Sequence, residues 1–181
     1  MTVHIALLRA VNLGSHGKVS MPELQKFVVG LGFSHVRTLL NSGNLIFAGG
    51  AQTDSEIETL LERESAARLQ LPTAYLVRTV EEWVDLIAGN PFPKEAHSDP
   101  SHVVVMFLKN PPDASAVEAL RAAIRGPEII RAGGRQLYIS YPAGIGTSKL
   151  TNTVIENKLR TRGTGRNWNT VLKLQALAQN T

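Results

Sequence analysis

The chain has no cysteine among its 181 residues, which excludes disulfides, thiolate-held zinc and a cysteine nucleophile together. No apolar run approaches the roughly 18 residues that a membrane span needs. The start, Met1-Thr2-Val3-His4-Ile5, lacks the basic stretch and apolar core of a signal segment. No membrane partner and a cytoplasmic location are therefore expected. Aromatic residues make up only 6% of the chain, and the central-strand runs Val3-His4-Ile5-Ala6-Leu7 and Leu45-Ile46-Phe47 lack the exposed aromatics on which RNA-recognition sheets stack bases. The five histidines, His4, His16, His35, His97 and His102, have no metal-ligand spacing. No metal and no cofactor are expected.

What remains is an ordinary globular composition, 43% hydrophobic and 19% charged, in a length that suits one sizeable core or two small ones. The net charge of +4 is uneven. Residues 1–53 hold four Lys/Arg against one Asp/Glu, residues 54–100 four against ten, residues 101–146 five against three, and residues 147–181 six against one. Basic ends around an acidic middle suit an anionic partner, or charge compensation between copies.

Val3–Arg9 reads as a buried strand. Ser20-Met21-Pro22-Glu23 is a capping box that opens a helix through Leu24, Phe27, Val28 and Leu31, stopped by Gly32. Two strands, His35–Leu40 and Leu45–Ala48, flank the turn Asn41-Ser42-Gly43-Asn44. Thr53-Asp54-Ser55-Glu56 opens a helix, Thr73–Arg78 is a strand, and Thr79-Val80-Glu81-Glu82 opens a further helix ended by Gly89–Pro93. The second half repeats this order: strand His102–Leu108, a helix opened by Ser115-Ala116-Val117-Glu118, strands Glu128–Ala132 and Arg135–Ser140 around Gly133-Gly134, a helix from about Thr147 to Arg160, a strand near Gly163–Trp168, and a last helix from Asn169 to Ala178. The expected fold is α+β: two tandem ferredoxin-like repeats, each βαββαβ plus a helix, with antiparallel sheets, at residues 1–93 and 102–181 joined by a linker at 94–101.

That topology brings particular loops together. The end of strand one lies beside the tip of the strand two to three hairpin, so Arg9 and the long loop with Asn12 and Lys18 face Asn41, Ser42 and Asn44. Cations, amides and backbone N–H groups near a helix start suit a phosphate or carboxylate; alternatively the amides only satisfy tight turns. In the second half, Ala143–Lys149 runs toward a helix beside the strand that ends in Arg166 and Asn167, making Ser148, Lys149, Arg166 and Asn167 a second candidate set. It is no Walker A loop, because Lys149 follows Ser148 and precedes no Ser or Thr. Asn169 reads as a helix N-cap and Trp168 as a core or interface residue.

The runs Leu7-Leu8-Arg9-Ala10-Val11-Asn12-Leu13-Gly14, Lys18-Val19-Ser20-Met21-Pro22-Glu23-Leu24, Leu31-Gly32-Phe33, Val36-Arg37-Thr38, Asn41-Ser42-Gly43-Asn44, Ser148-Lys149-Leu150 and Arg166-Asn167-Trp168-Asn169-Thr170 resemble, in order, the bacterial domain-of-unknown-function family 1697. The resemblance implies a duplicated ferredoxin-like protein without an assigned activity. The chain departs from the family pattern at Ala10, Asn41 and Gly165, where Gly, Gln and Thr are usual.

Three functions follow as expectations. The first is a non-catalytic module, monomer or homodimer, that binds a phosphorylated small molecule or nucleic acid by charge and loop contacts, with steep salt dependence. The second is an enzyme on a phosphorylated or acyl substrate, with His16 or Lys149 moving the proton. The third is a structural or regulatory partner protein, with the outer strand of each sheet open to pairing.

Overall fold

The computed structural model describes residues 1–9, 19–40 and 42–181. The described residues form a mixed α+β protein with two four-stranded antiparallel sheets and seven helices. In chain order the elements of the first sheet are β1 (Thr2–Leu8), α1 (Met21–Gly30), β2 (Ser34–Leu39), β3 (Asn44–Gly49), α2 (Asp54–Leu69), β4 (Tyr75–Thr79) and α3 (Val80–Ala88). Those that follow are α4 (Pro93–Ser98), a 3-10 turn (Pro100–His102), β5 (Val103–Leu108), α5 (Ala114–Ala123), β6 (Ile129–Gly133), β7 (Gln136–Ser140), α6 (Asn152–Leu159), β8 (Gly163–Asn167) and α7 (Trp168–Ala178). The strand orders are β2-β3-β1-β4 and β6-β7-β5-β8. Two compact units divide the chain, Met1–Asp85 with Lys173–Thr181, and Leu86–Leu172. Both boundaries fall inside a helix, α3 and α7.

The central strands explain their composition. Ile5 through Leu8, and all of Val103–Leu108, are buried, and a strand covered on both faces loses polar alternation and becomes a continuous apolar run. In the first unit, Ala6, Leu8, Phe47 and Val77 share a core with Leu24 and Phe27 of α1 and Ile57 and Leu61 of α2. In the second, Val104, Met106, Leu108, Leu137 and Ile139 pack with Val117 and Leu120 of α5 and Ile155 of α6. The capping boxes at Ser20/Glu23 and Thr53/Glu56 form as their spacing requires. At Thr79 the reciprocal pair also closes, Thr79 N to Glu82 Oε2 and Glu82 N to Thr79 Oγ1. Both hairpin tips turn through glycine at positive φ, Gly43 at 73° and Gly134 at 56°, where a Cβ would be strained.

Three local expectations are corrected. Helix α5 begins behind Asp113, whose carbonyl accepts from Val117 N at 3.0 Å, so Ser115 lies inside the first turn and does not cap it. Helix α6 begins at Asn152 with Thr151 as its cap, Oγ1 accepting from Val154 N; Thr147 is left in the preceding loop. The N-cap of α7 is Asn167, whose Oδ1 accepts from Thr170 N at 3.0 Å, and Asn169 is an exposed residue of the first turn. Residues 94–101 contain most of α4 and the start of the 3-10 turn.

The outer strands carry their own protection. On β4, Tyr75 N donates to Glu62, Val77 N to Glu58 and Thr79 N to Glu82. These are alternate residues, hence the N–H groups that point away from β1. The Val77 carbonyl accepts from Arg78 Nη1. The same device recurs on β6, where Arg131 covers the Ile130 carbonyl, and on β8, where Arg166 covers that of Gly165 and Glu156 takes Gly163 N. On β2, Gln25 Nε2 donates to the Val36 carbonyl, and the strand is bulged between Ser34 and Arg37. Side chains that occupy edge groups, and bulges, oppose pairing with another strand.

Candidate functional site

At the end of β1, Leu8 N donates to the Gly43 carbonyl and Arg9 N to that of Ala74, each at 2.9 Å, while Thr73 Oγ1 donates to the Arg9 carbonyl at 2.7 Å. Arg9 is thereby fixed, half-buried, between the β2–β3 turn and the entry to β4. Asn12, Lys18 and Asn41 lie outside the described residues, as does His16. Asn44 is fully buried, its Nδ2 donating to the Leu39 carbonyl and to Ser42 Oγ; its amide holds the hairpin closed, and Ser42 is the exposed member of the pair.

The same two hydrogen bonds recur in the second unit. Leu108 N donates to the Arg135 carbonyl and Lys109 N to that of Arg162, each at 2.8 Å. Lys109 stands where Arg9 stands, and here the two acceptors flanking it are themselves cationic residues. Thr161, in the position of Thr73, also bonds here, but its Oγ1 accepts from Asn110 N where Thr73 Oγ1 donates to the Arg9 carbonyl. A polar groove lined by Asn110, Asp113, Ser115, Asn157, Lys158 and Arg160 continues from this end. Lys109, Arg135 and Arg162 were not among the residues singled out from the sequence. A sequence signal exists for Lys109 alone, which follows from aligning the second strand-helix series on Arg9; Arg135 and Arg162 correspond to Gly43 and Ala74.

The other candidate set does not converge. Loop 141–151 leaves β7 at the opposite end of the second sheet, where Tyr141 N donates to the His102 carbonyl at 2.8 Å. Tyr141 Oη donates to the Leu150 carbonyl, Ser148 Oγ donates to Glu128, and Leu150 N donates to Ser148 Oγ. These bonds set the exposed Lys149 beside Leu120 and Val154, on the helix-covered side of the sheet. Arg166 pairs in register with Val105, whereas the helix-side core uses Val104 and Met106. Successive strand residues face opposite ways, so Arg166 lies on the other face from Lys149. It is buried, and its Nη1 donates to Thr164 Oγ1 and the Gly165 carbonyl; burial lowers its pKa to about 10. Asn167 is occupied as the cap of α7.

Among the described residues, no group of three or more His, Asp or Glu could hold a metal ion. His102 pairs with Asp99 at 2.7 Å, and His4, 1% exposed, lies 3.4 Å from Asp54.

All three tyrosines are perturbed upward. Burial pushes Tyr75 and Tyr141 to about 12, helped by Glu62 and Glu128 respectively, and burial raises Tyr138. A folded-state tyrosine pKa above the unfolded value of about 10 stabilises the fold below that pH. That contribution is lost as pH rises from about 10 through 12. Ultraviolet titration is therefore expected to show little tyrosinate at pH 10, then ionisation of Tyr75 and Tyr141 in step with loss of near-ultraviolet dichroism. A normal tyrosine titration in the folded protein would contradict this.

The molecule so described is an α+β protein of two antiparallel sheets, with cationic residues hydrogen-bonded into matching ends of both. The model of the family described as protein of unknown function (DUF1697) matches residues 1–138, and the chain belongs to that family. It is similar in structure to the conserved bacterial protein SP0830 from Streptococcus pneumoniae, at 20% identity over 98% of each chain with a TM-score of 0.77, a likeness that shows the fold. No curated protein matches it. No described helix is long and apolar enough to cross a membrane.

Proposed function

We propose that the chain is a non-catalytic module that binds a phosphate-bearing ligand, built from two ferredoxin-like repeats, residues 1–93 and 102–181 with 94–101 between them, that arose by duplication. The strand orders and the recurring hydrogen bonds support the repeat. The compact units differ from the sequence repeats in dividing α3 and α7 and in placing residues 86–101, α4 included, with the second unit. The observation that carries the binding reading is the second of the matched sheet ends. Backbone hydrogen bonds tie Lys109 to Arg162 and its neighbour Leu108 to Arg135, beside a groove that adds Lys158 and Arg160. Cations concentrated on a rigid frame attract polyanions and bind them with a strong dependence on salt. Arg9 supplies the corresponding charge in the first repeat, with the exposed Ser42 on the neighbouring turn; Asn12, Lys18 and Asn41, the other residues expected there, lie outside the described residues.

Fluorescence anisotropy at low salt, with short single-stranded RNA and DNA and with a labelled nucleoside triphosphate, tests this. Affinity is expected to fall at least about tenfold when Lys109, Arg135 and Arg162 are all replaced by Ala, and the slope of log affinity against log salt is expected to flatten. The melting temperature is expected to change little, because the two anchoring hydrogen bonds use backbone carbonyls and amides. Equal affinity in the triple variant, or no salt-sensitive binding to any of the three probes, sinks the proposal.

A further inference from the structure

Charge alone does not account for the lining of the basic groove. About 630 Å³ in volume, it lies between the start of α5 and the end of α6, lined by Asn110, Asp113, Ser115, Asn157, Lys158 and Arg160 among others. The bonds of Lys109 N to the Arg162 carbonyl and of Asn110 N to Thr161 Oγ1 hold its two walls together at one end of the sheet. Asp113 stands on the first wall, exposed, at the N-cap position of α5. Aspartate commonly caps a helix through its side chain, but this carboxylate makes no cap hydrogen bond. The side chains of Asp113, Asn157, Lys158 and Arg160 have no hydrogen-bond or ion-pair partner among the described residues. An unpaired carboxylate in a basic groove repels an anion unless the ligand brings a hydrogen-bond donor to it. No aromatic ring lines the groove among the described residues, so the stacking by which single strands are usually held is missing, and contact falls to sugar and phosphate.

We infer that this groove binds single-stranded RNA, with its phosphates on the cations and a ribose 2′-hydroxyl donating to the Asp113 carboxylate. The inference rests on the phosphate-binding reading above and adds the sugar to it. An ionised carboxylate only accepts hydrogen bonds, so Asp113 favours a strand that offers an O–H and opposes one that does not. The 2′-hydroxyl is the group by which a protein tells RNA from DNA. The cations Lys158 and Arg160 in the groove, with Lys109, Arg135 and Arg162 at the sheet end beside it, stand against the one carboxylate of the lining, Asp113. That excess is more than a single phosphate neutralises and suits a run of them. The Asn110 and Asn157 amides offer donors and acceptors to sugar and phosphate oxygens.

The experiment is fluorescence anisotropy on the full chain at one low salt concentration, with labelled pyrimidine strands of equal length and sequence made as RNA, as 2′-O-methyl RNA and as DNA. Equal numbers of phosphates give the three strands the same counterion contribution, so the comparison isolates the 2′ position. RNA is expected to bind about tenfold more tightly than either of the others, the effect of one hydrogen bond to a charged group. Asp113→Ala is expected to weaken RNA binding and to strengthen binding of DNA and 2′-O-methyl RNA, since it takes an acceptor from the first and only a repelling charge from the other two. The start of α5 survives this change, because the Asp113 bond to Val117 N uses the backbone carbonyl. Two results overturn the inference: RNA bound no better than 2′-O-methyl RNA or DNA, or Asp113→Ala moving all three affinities in one direction. Either leaves the phosphate-binding reading standing so long as the Lys109, Arg135 and Arg162 triple variant still loses salt-sensitive binding. Absence of salt-sensitive binding to all three strands and to the nucleoside triphosphate overturns both.

Discussion

Replacing Glu58 by alanine is expected to destabilise the protein by about 3–5 kcal/mol, the cost of removing one member of a buried ion pair. Glu58 projects from α2 and is only 4% exposed. Its Oε1 accepts from Val77 N at 2.8 Å and lies 4.0 Å from Arg78 Nη1, so one carboxylate serves an edge N–H and a guanidinium that is 2% exposed. Removal takes that acceptor from both buried groups, and the lost hydrogen bond adds to the electrostatic loss. The control separates charge from packing: Glu58→Leu combined with Arg78→Met removes both members of the pair and should recover much of the loss, since apolar replacement of buried ion pairs is often neutral or better. Urea unfolding followed by circular dichroism measures both. A single variant within about 0.5 kcal/mol of the parent, the scatter of ordinary surface substitutions, would show that Glu58 is replaceable.

Phe47→Ala is expected to cost about 3–5 kcal/mol as well, by a different mechanism. Phe47 sits on β3, fully buried, opposite His4 in the register. Its ring lies 4.6 Å from that of Phe33 and 5.8 Å from that of His4. Truncation removes the burial of a large ring and opens a void beneath two others, and a close-packed interior relaxes only partly to fill it. Phe47→Leu keeps most of the volume and should cost clearly less. Equal losses in the two variants would mean that the ring contacts, and not the cavity, carry the effect.

Phe47 and Glu58 differ in how readable they are from the sequence. Phe47 is legible as core because Leu45, Ile46 and Phe47 form an apolar run between turn signals. Glu58 is not. On α2 it stands among Asp54, Glu56, Glu62 and Glu64, a sequence that reads as a solvated acidic face, and only the passage of β4 beside that helix makes Glu58 and Glu62 acceptors for strand N–H groups.

Caps divide in the same way. Ser20/Glu23, Thr53/Glu56 and Thr79/Glu82 are readable because both partners lie three residues apart and bond within one turn. Thr147 and Thr151 look alike as helix starts. The choice falls on Thr151 because Ser148 is drawn to Glu128, 20 residues earlier, and that long-range bond holds the preceding segment out of the helix. By sequence, Arg166 belongs with Lys149 in one candidate set. Strand parity turns it to the other face of the sheet, where its guanidinium bonds to its own strand. Lys109, Arg135 and Arg162 are scattered in sequence and acquire a common meaning only when the ends of three strands are brought together.

The order of elements, the antiparallel class and most of the core are thus consequences of the sequence alone, because periodicity, turns and caps act over a few residues and do not depend on what lies beyond them. The tertiary structure decided which charged groups are consumed and which are presented. Whether a guanidinium, amide or carboxylate is available to a ligand depends on the partner that folding places within hydrogen-bond reach, and for Asn44 that partner is 5 residues away, for Glu58 19, and for Ser148 20.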